Sequence, residues 1–62
     1  MIHMSQEERL SIIVHYLKTH KEMSIPSICQ QLSISRTIAR SDILKLLEQK
    51  RIVVNKNHIH IL

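Results

Sequence analysis

Basic side chains are concentrated in one stretch of the chain, ISRTIARSDILKLLEQKR, which runs from Ile34 to Arg51. This stretch holds five Arg or Lys residues against two acids. Arg can pair with the edges of guanine bases, and Lys, Ser and Thr can hold phosphate oxygens, so the stretch could bind a nucleic acid. The same composition also fits the solvated side of an ordinary helix.

The net charge of +4 comes entirely from the second half of the chain. Residues 1–31 carry three bases and three acids, whereas residues 32–62 carry six bases and two acids. Such a one-sided basic excess is typical of proteins that contact nucleic acid. Tyr16 is the single aromatic residue, so we do not expect a domain that stacks single-stranded bases on aromatic rings.

The 62 residues are expected to form one domain over residues 1–62. A chain of this length buries only about 60% of the surface that its unfolded form exposes, so its core must be efficient. Cys29 is the only cysteine, which excludes an internal disulfide and a cysteine-based zinc site. No apolar run is long enough to span a membrane, and the first residues, MIHM, lack the features of a signal peptide. We therefore predict a cytoplasmic protein with no membrane partner.

The elements that hold the basic stretch begin with a helix predicted over residues 6–20. Ser5 and Glu8 have the spacing of a capping box, in which each side chain satisfies a backbone N–H of the other residue. Apolar residues then recur at helical spacing and form one stripe. The residues of this stripe are Leu10, Ile13, Val14 and Leu17.

Two further helices are predicted over residues 26–32 and 36–49, after a short connector and on either side of a tight turn. Pro26 suits the first turn of helix two, where its missing N–H is not needed, and Ser35 is a natural N-cap for helix three. The apolar residues expected to share the buried side of helix three are Ala39, Ile43, Leu46 and Leu47.

The last segment, residues 51–62, changes to the pattern of a β-hairpin. The β-forming runs IVV and HIHIL are separated by the polar residues NKN. We expect Ile59 and Ile61 to point to the core and the two histidines of this segment to point to solvent. Because the chain contains no glycine, an Asn is expected to adopt the positive φ angle of the turn.

The elements therefore follow in the order helix, connector, helix, turn, helix, hairpin, an α+β fold that is mostly α. This is the order of a winged helix-turn-helix, which presents the second helix of its helix pair to DNA. The stretch SIPSICQQLSISRTIARSDILKLLEQKRIVV resembles the DNA-binding domain of DeoR-type bacterial repressors and of the related biotin-repressor-like regulators. Ser33 and Lys50 stand where glycine is common in those families.

The resemblance implies a transcriptional regulator, acting as a repressor, that binds double-stranded DNA at specific sequences. Helix three would enter the major groove, and the hairpin, or wing, would contact the flanking backbone. No cofactor and no metal is implied. The residues expected to contact DNA are Ser35, Arg36, Thr37, Arg40, Ser41, Lys45, Arg51 and Lys56.

Two other binding functions stay open. A winged-helix module that binds another protein and not DNA is the main alternative, because Ile38 and Leu44 place aliphatic side chains on or beside the basic side of helix three. Double-stranded RNA is a second possible partner of the same surface. On helix one, Ile12 and Tyr16 exceed what a three-helix core needs, so they either close the core or form a homodimer contact.

Metal-binding and catalytic roles are disfavoured. His58 and His60 could hold an ion between them, but no Cys or acid lies nearby in the sequence, so we expect solvated histidines. Asp42 is expected to form a structural ion pair with Arg40, with Lys45 or with a residue of helix one. The sequence shows no catalytic motif, and we do not predict an enzyme.

Overall fold

The computed structural model describes residues 4–62, and the first three residues of the MIHM terminus lie outside this range. In chain order its elements are α1 Gln6–His20, β1 Glu22–Ser24, α2 Ile25–Leu32, α3 Arg36–Glu48, β2 Ile52–Asn55 and β3 His58–Ile61. Three helices thus pack with one small sheet, which confirms the predicted mostly helical α+β winged helix. Within residues 4–62, no helix combines the length and the apolar character that crossing a membrane requires.

The capping box predicted at the start of α1 is present. The Ser5 hydroxyl accepts a hydrogen bond from the Glu8 backbone N–H at 3.2 Å, and the Ser5 backbone N–H donates to the Glu8 carboxylate at 2.9 Å. Both contacts satisfy N–H groups that have no partner within the helix. The backbone hydrogen bond from Ser5, followed by that of its side chain, lowers the pKa of Glu8, because both favour the ionised carboxylate.

One hydrophobic core joins the helices to the sheet. Its buried apolar residues are Leu10, Ile13, Val14, Leu17, Met23, Ile28, Ala39, Ile43, Leu46, Ile52 and Ile59. The prediction that Leu47 belongs to this group is wrong, since Leu47 is 38% exposed. Each residue turns about 100° around a helix axis, and this rotation carries Leu47 past the edge of the buried stripe that contains Leu46.

The sheet is antiparallel and has the strand order β1-β3-β2. Its central residue is Ile59, which is fully buried and pairs with Met23 on one side and with Val54 on the other. Ile61 is partly buried against the same core, so both isoleucines of β3 point inward as predicted.

The connector between α1 and α2 is itself the strand β1, which forms one edge of the sheet. At its end Ser24 acts as the N-cap of α2, and its hydroxyl accepts a hydrogen bond from the Ser27 N–H at 3.3 Å. Because of this cap, α2 begins at Ile25, one residue before the predicted start at Pro26.

The turns of the fold adopt positive φ angles without glycine. Ser33 after α2 has a φ of 55° and Lys50 after α3 has a φ of 56°, at the two positions where the resembled families often have glycine. In this left-handed region a residue with a Cβ atom costs roughly 1–2 kcal/mol. Both helix ends therefore carry local strain that glycine would avoid.

The prediction that an Asn provides the positive φ angle of the wing turn is wrong. Asn55 pairs with His58 across the hairpin, so only Lys56 and Asn57 remain as turn residues. A two-residue hairpin turn requires a positive φ at its first central position. That position is occupied by Lys56, which has a φ of 59°.

Candidate nucleic-acid interface

The candidate interface is built on α3, whose start is fixed by the turn before it. Ser35 is the N-cap, and its hydroxyl accepts a hydrogen bond from the Ile38 N–H at 3.2 Å. The Ile34 N–H donates to the Cys29 carbonyl at 3.1 Å, which closes the turn from α2 to α3. Ala39 is fully buried, and its small side chain lets α3 pack closely against α2. The first turn of α3 is therefore held firmly on the core.

A buried ion pair ties the middle of α3 to the start of α1. Asp42 is fully buried, and its carboxylate accepts hydrogen bonds from Arg9 Nε at 2.6 Å, Arg9 Nη2 at 3.1 Å and Gln6 Nε2 at 3.1 Å. Arg9 Nη1 also donates to the Met4 carbonyl at 2.9 Å. The hydrogen bond to Asp42 raises the pKa of Arg9, because it favours the charged guanidinium.

This ion pair decides between the partners that the sequence left open for Asp42. In residues 4–62 its ion-pair partner is Arg9, a residue of helix one, so that alternative is confirmed. Arg40 and Lys45 take no part in the pair and are exposed on the surface of α3. Their charges can therefore act on another molecule.

The solvent side of α3 brings most of the predicted contact residues together. Arg36, Thr37, Arg40, Ser41 and Lys45 are all exposed there, and we call these five residues the basic face of α3. At 3.6 residues per turn, Arg36 and Arg40 lie along one edge of this face and Lys45 lies along the other. Ser35 is also exposed, although its hydroxyl already accepts the capping hydrogen bond.

Arg40 lies between two depressions of the surface. The first runs along α3 toward α1 and is lined, beside Arg40, by Gln6, Thr37, Ser41, Leu44, Lys45 and Glu48. The second lies between α3, the start of α2 and the wing, and is lined, beside Arg40, by Ser24, Ile25, Pro26, Arg36 and Asn57. Arg40 is thus the residue of the basic face that borders both.

The wing places its two predicted contact residues at opposite ends. Lys56 is exposed in the hairpin turn and is followed by Asn57, which shares the second depression with Arg36. Arg51 is exposed at the base of the wing, where its backbone carbonyl accepts a hydrogen bond from the Leu62 N–H at 3.0 Å. The tip of the wing therefore lies beside the start of α3, whereas Arg51 lies near the end of α3.

Three residues that were not predicted for the site line the first depression: Gln6, Leu44 and Glu48. Gln6 comes from the other end of the chain and lies 3.5 Å from the hydroxyl of Ser41, a contact that no local spacing reveals. The sequence already placed Leu44 on or beside the basic side of the helix, although not among the DNA contacts. Glu48 follows Leu44 by one more turn, so helical periodicity was the signal that could have added it.

The wing histidines are exposed to solvent, as predicted, but both also lie close to an acid. Glu22 Oε2 lies 3.1 Å from His58 Nδ1 and 3.6 Å from His60 Nε2. The acid that is absent from the neighbouring sequence comes from β1, because the pairing of β1 with β3 puts Glu22 opposite His60. All three side chains remain largely exposed. Across residues 4–62, no group of three or more His, Cys, Asp or Glu side chains is arranged to hold a metal ion.

This domain is similar in sequence to a known family of domains and to a known protein. The sequence model of the DeoR-like helix-turn-helix domain family matches residues 9–58. The chain is also 46% identical over 50 residues to the HTH-type transcriptional repressor GlcR of Bacillus subtilis (strain 168). That match covers 81% of this chain but only 19% of the relative, so the chain corresponds to a small part of that protein. No solved structure matches the chain significantly.

The matched residues run from the first turns of α1 to the first residue of β3 and include all of α3. The family is a class of DNA-binding domains of transcriptional regulators and not a class of enzymes. The match therefore confirms both the predicted resemblance and the prediction of a DNA-binding domain for transcription regulation. The chain belongs to the DeoR-like helix-turn-helix family.

Proposed function

We propose that this chain binds double-stranded DNA at specific sequences and acts as a repressor, with α3 in the major groove and the wing on the flanking backbone. The observation that carries the proposal is the basic face of α3, whose five side chains are all exposed. The core and the Arg9–Asp42 ion pair hold the opposite side of the same helix. The relative from Bacillus subtilis is a transcriptional repressor, which supports repression as the direction of regulation.

Each contact residue has a role that follows from its chemistry. Arg40 borders both depressions and can form two hydrogen bonds to the O6 and N7 atoms of guanine, so we assign base reading to it. Thr37, Ser41 and Lys45, which lie along the first depression, position the phosphates. Lys56 at the wing tip meets the flanking backbone. The remaining assigned phosphate contacts are Ser35, Arg36 and Arg51.

The affinity would be mainly electrostatic in origin. Duplex DNA condenses counterions, and each phosphate that a Lys or Arg neutralises releases some of them. Six of the nine Lys and Arg residues lie in residues 32–62, so the basic half of the chain would provide most of this effect. The affinity should therefore fall steeply as the salt concentration rises.

The assignment of Arg40 can be tested after the preferred sequence has been selected from a random duplex library. Arg40→Ala should weaken binding to that sequence by about 5- to 150-fold and relax the preference at one position, because a two-bond contact to guanine contributes roughly 1–3 kcal/mol. Lys56→Ala should weaken binding to all sequences by similar factors. Lys18→Ala, which removes an exposed charge from α1, is the matched control and should bind normally.

Unchanged affinity of Arg40→Ala for the selected sequence would contradict the proposed docking of α3. Equal losses for Arg40→Ala and Lys18→Ala would also contradict it, because the contribution would then be one of net charge and not of position.

We further propose that two copies occupy a two-fold site in the cytoplasm, with Ile12 of α1 at the contact between them. Ile12 is 42% exposed. Tyr16 packs against the core and stacks on His20 with ring centroids 4.1 Å apart, so it can add only its outer edge. Sedimentation velocity tests this contact by measuring whether one or two copies bind the site. The wild type should bind as two copies, and Ile12→Arg should bind as one. A wild type that stays monomeric when bound to a two-fold site would contradict it.

A protein-binding module is the second candidate function. It is favoured by the exposure of two aliphatic side chains of α3, Ile38 at 39% and Leu44 at 61%. A titration with duplex DNA at low salt distinguishes the two functions. The first requires binding to the duplex, and the second does not.

A further inference from the structure

Leu44 is the most exposed aliphatic side chain of α3. It is 61% exposed, compared with 39% for Ile38 and 38% for Leu47. It lies four residues after Arg40 and seven after Thr37, a spacing that places these three side chains on one side of the helix. Ala39 and Leu46, at the centre of the buried stripe, lie on the opposite side. Leu44 therefore points directly away from the core.

This exposure has no explanation in the stability of the fold. The side chain is not part of the hydrophobic core, nor is it among the partly buried residues that pack against the core. Leucine favours helix formation, but Lys, Gln and Glu do so to a similar degree and keep a surface helix polar. Single exposed apolar residues are common on protein surfaces, so it is the position of Leu44 that matters: it lies within the basic face that is proposed to bind DNA.

The charges around Leu44 indicate what it would contact. Arg36 and Arg40 lie on one side of it and Lys45 lies on the other, so positive groups flank it along both edges of the helix. In a major groove the outermost of these residues, Arg36 and Lys45, would face the two phosphate backbones. The part of the helix between them would face the base edges, and Arg40 lies in this part, between Arg36 and Leu44 around the helix. The C5-methyl group of thymine is the apolar group that base pairs present in this groove.

We propose that Leu44 determines specificity by packing against the methyl group of a thymine in the major groove. This inference rests on the proposed DNA binding and deepens it by assigning one base position to one side chain. Glu48, one turn further along the same side, repels phosphates and keeps the contact within the first three turns of α3. Arg40 would then read a neighbouring base pair.

The test compares thymine with uracil, which lacks only the methyl group and keeps the same hydrogen-bonding atoms. A selected duplex is synthesised with each thymine replaced in turn by deoxyuridine, and each version is titrated with the wild type and with Leu44→Ala. At one position deoxyuridine should weaken wild-type binding by about fourfold, the factor that corresponds to burying one methyl-sized group. Leu44→Ala should bind both versions equally.

Leu62→Ala is the matched control, because it truncates the same kind of side chain at 72% exposure and no DNA or dimer contact is assigned to it. Its ratio between the thymine and deoxyuridine duplexes should equal that of the wild type, whatever happens to its absolute affinity. Circular dichroism of all three proteins checks that the truncations leave the fold intact, as expected for side chains outside the core.

Three outcomes would overturn the assignment while leaving the proposed DNA binding in place. These are a wild type that ignores every thymine methyl group, a Leu44→Ala protein that discriminates as the wild type does, and a selected site that contains no thymine. Failure of the wild type to bind any duplex at low salt would overturn both proposals, and Leu44 would then mark a surface for another protein.

Discussion

The substitution Arg9→Met would leave the fully buried carboxylate of Asp42 without its ion-pair partner. Of the three side-chain hydrogen bonds that Asp42 accepts within residues 4–62, the one from Gln6 at 3.1 Å would remain. Breaking a buried ion pair from one side costs about 3–5 kcal/mol. The side chains of Arg9 and Asp42 are only 16% and 0% exposed, so solvent would screen the remaining charge of Asp42 poorly.

This loss is large for a domain of this size. At about 0.05–0.15 kcal/mol per residue, a chain of 62 residues has a free energy of unfolding of roughly 3–9 kcal/mol. Arg9→Met should therefore remove about a third of the stability or more. Removing both charges in Arg9→Met/Asp42→Leu should restore part of it, since apolar replacements of a buried pair are often neutral or stabilising.

Urea unfolding at neutral pH, followed by circular dichroism, measures these differences. Glu7→Gln is the control, because Glu7 is an exposed acid in the same helical turn as Arg9. The reasoning is refuted if Arg9→Met unfolds within about 0.5 kcal/mol of the wild type, as surface substitutions usually do. A double variant less stable than Arg9→Met would refute it equally.

Two further predictions concern the ends of the helices. Lys50→Gly should raise the free energy of unfolding by about 0.5–1 kcal/mol, because Lys50 has a φ of 56° and glycine adopts this angle without strain. Urea unfolding measures this difference, and a variant less stable than the wild type would contradict the prediction. The capping box lowers the pKa of Glu8, so its contribution to stability is complete above the ordinary value of 4.5 and is lost as the pH falls through the lowered pKa. Thermal unfolding of Glu8→Gln should therefore differ from that of the wild type at neutral pH and converge with it in acid; a constant difference would show that the carboxylate charge is not the cause.

Local spacing was sufficient to predict most of the fold. The capping box of Ser5 and Glu8, the apolar stripe of α1 and the alternation of β3 each depend on residues a few positions apart. Leu47 was assigned wrongly because a residue at the edge of a stripe can fall on either side of it. The positive φ of Lys56 depends on the pairing of Asn55 with His58, a register that composition alone does not specify.

The contacts that support the candidate site were harder to predict because they join distant parts of the chain. Arg9 and Asp42 are 33 residues apart, and Gln6 and Asp42 are 36 residues apart. A sequence pattern shows that Asp42 needs a partner but not which element supplies one. The same holds for Glu22, which reaches the wing histidines only through the pairing of β1 with β3. The basic face of α3 was predictable because its members lie on one helix.

The most direct test of the central claim is the fluorescence anisotropy of a labelled random-sequence DNA duplex, titrated with the protein at several salt concentrations. We predict dissociation constants of about 10⁻⁴–10⁻⁶ M near physiological salt, with the logarithm of affinity falling linearly as the logarithm of salt concentration rises. Absence of binding even at low salt would contradict a DNA-binding role for the basic face of α3.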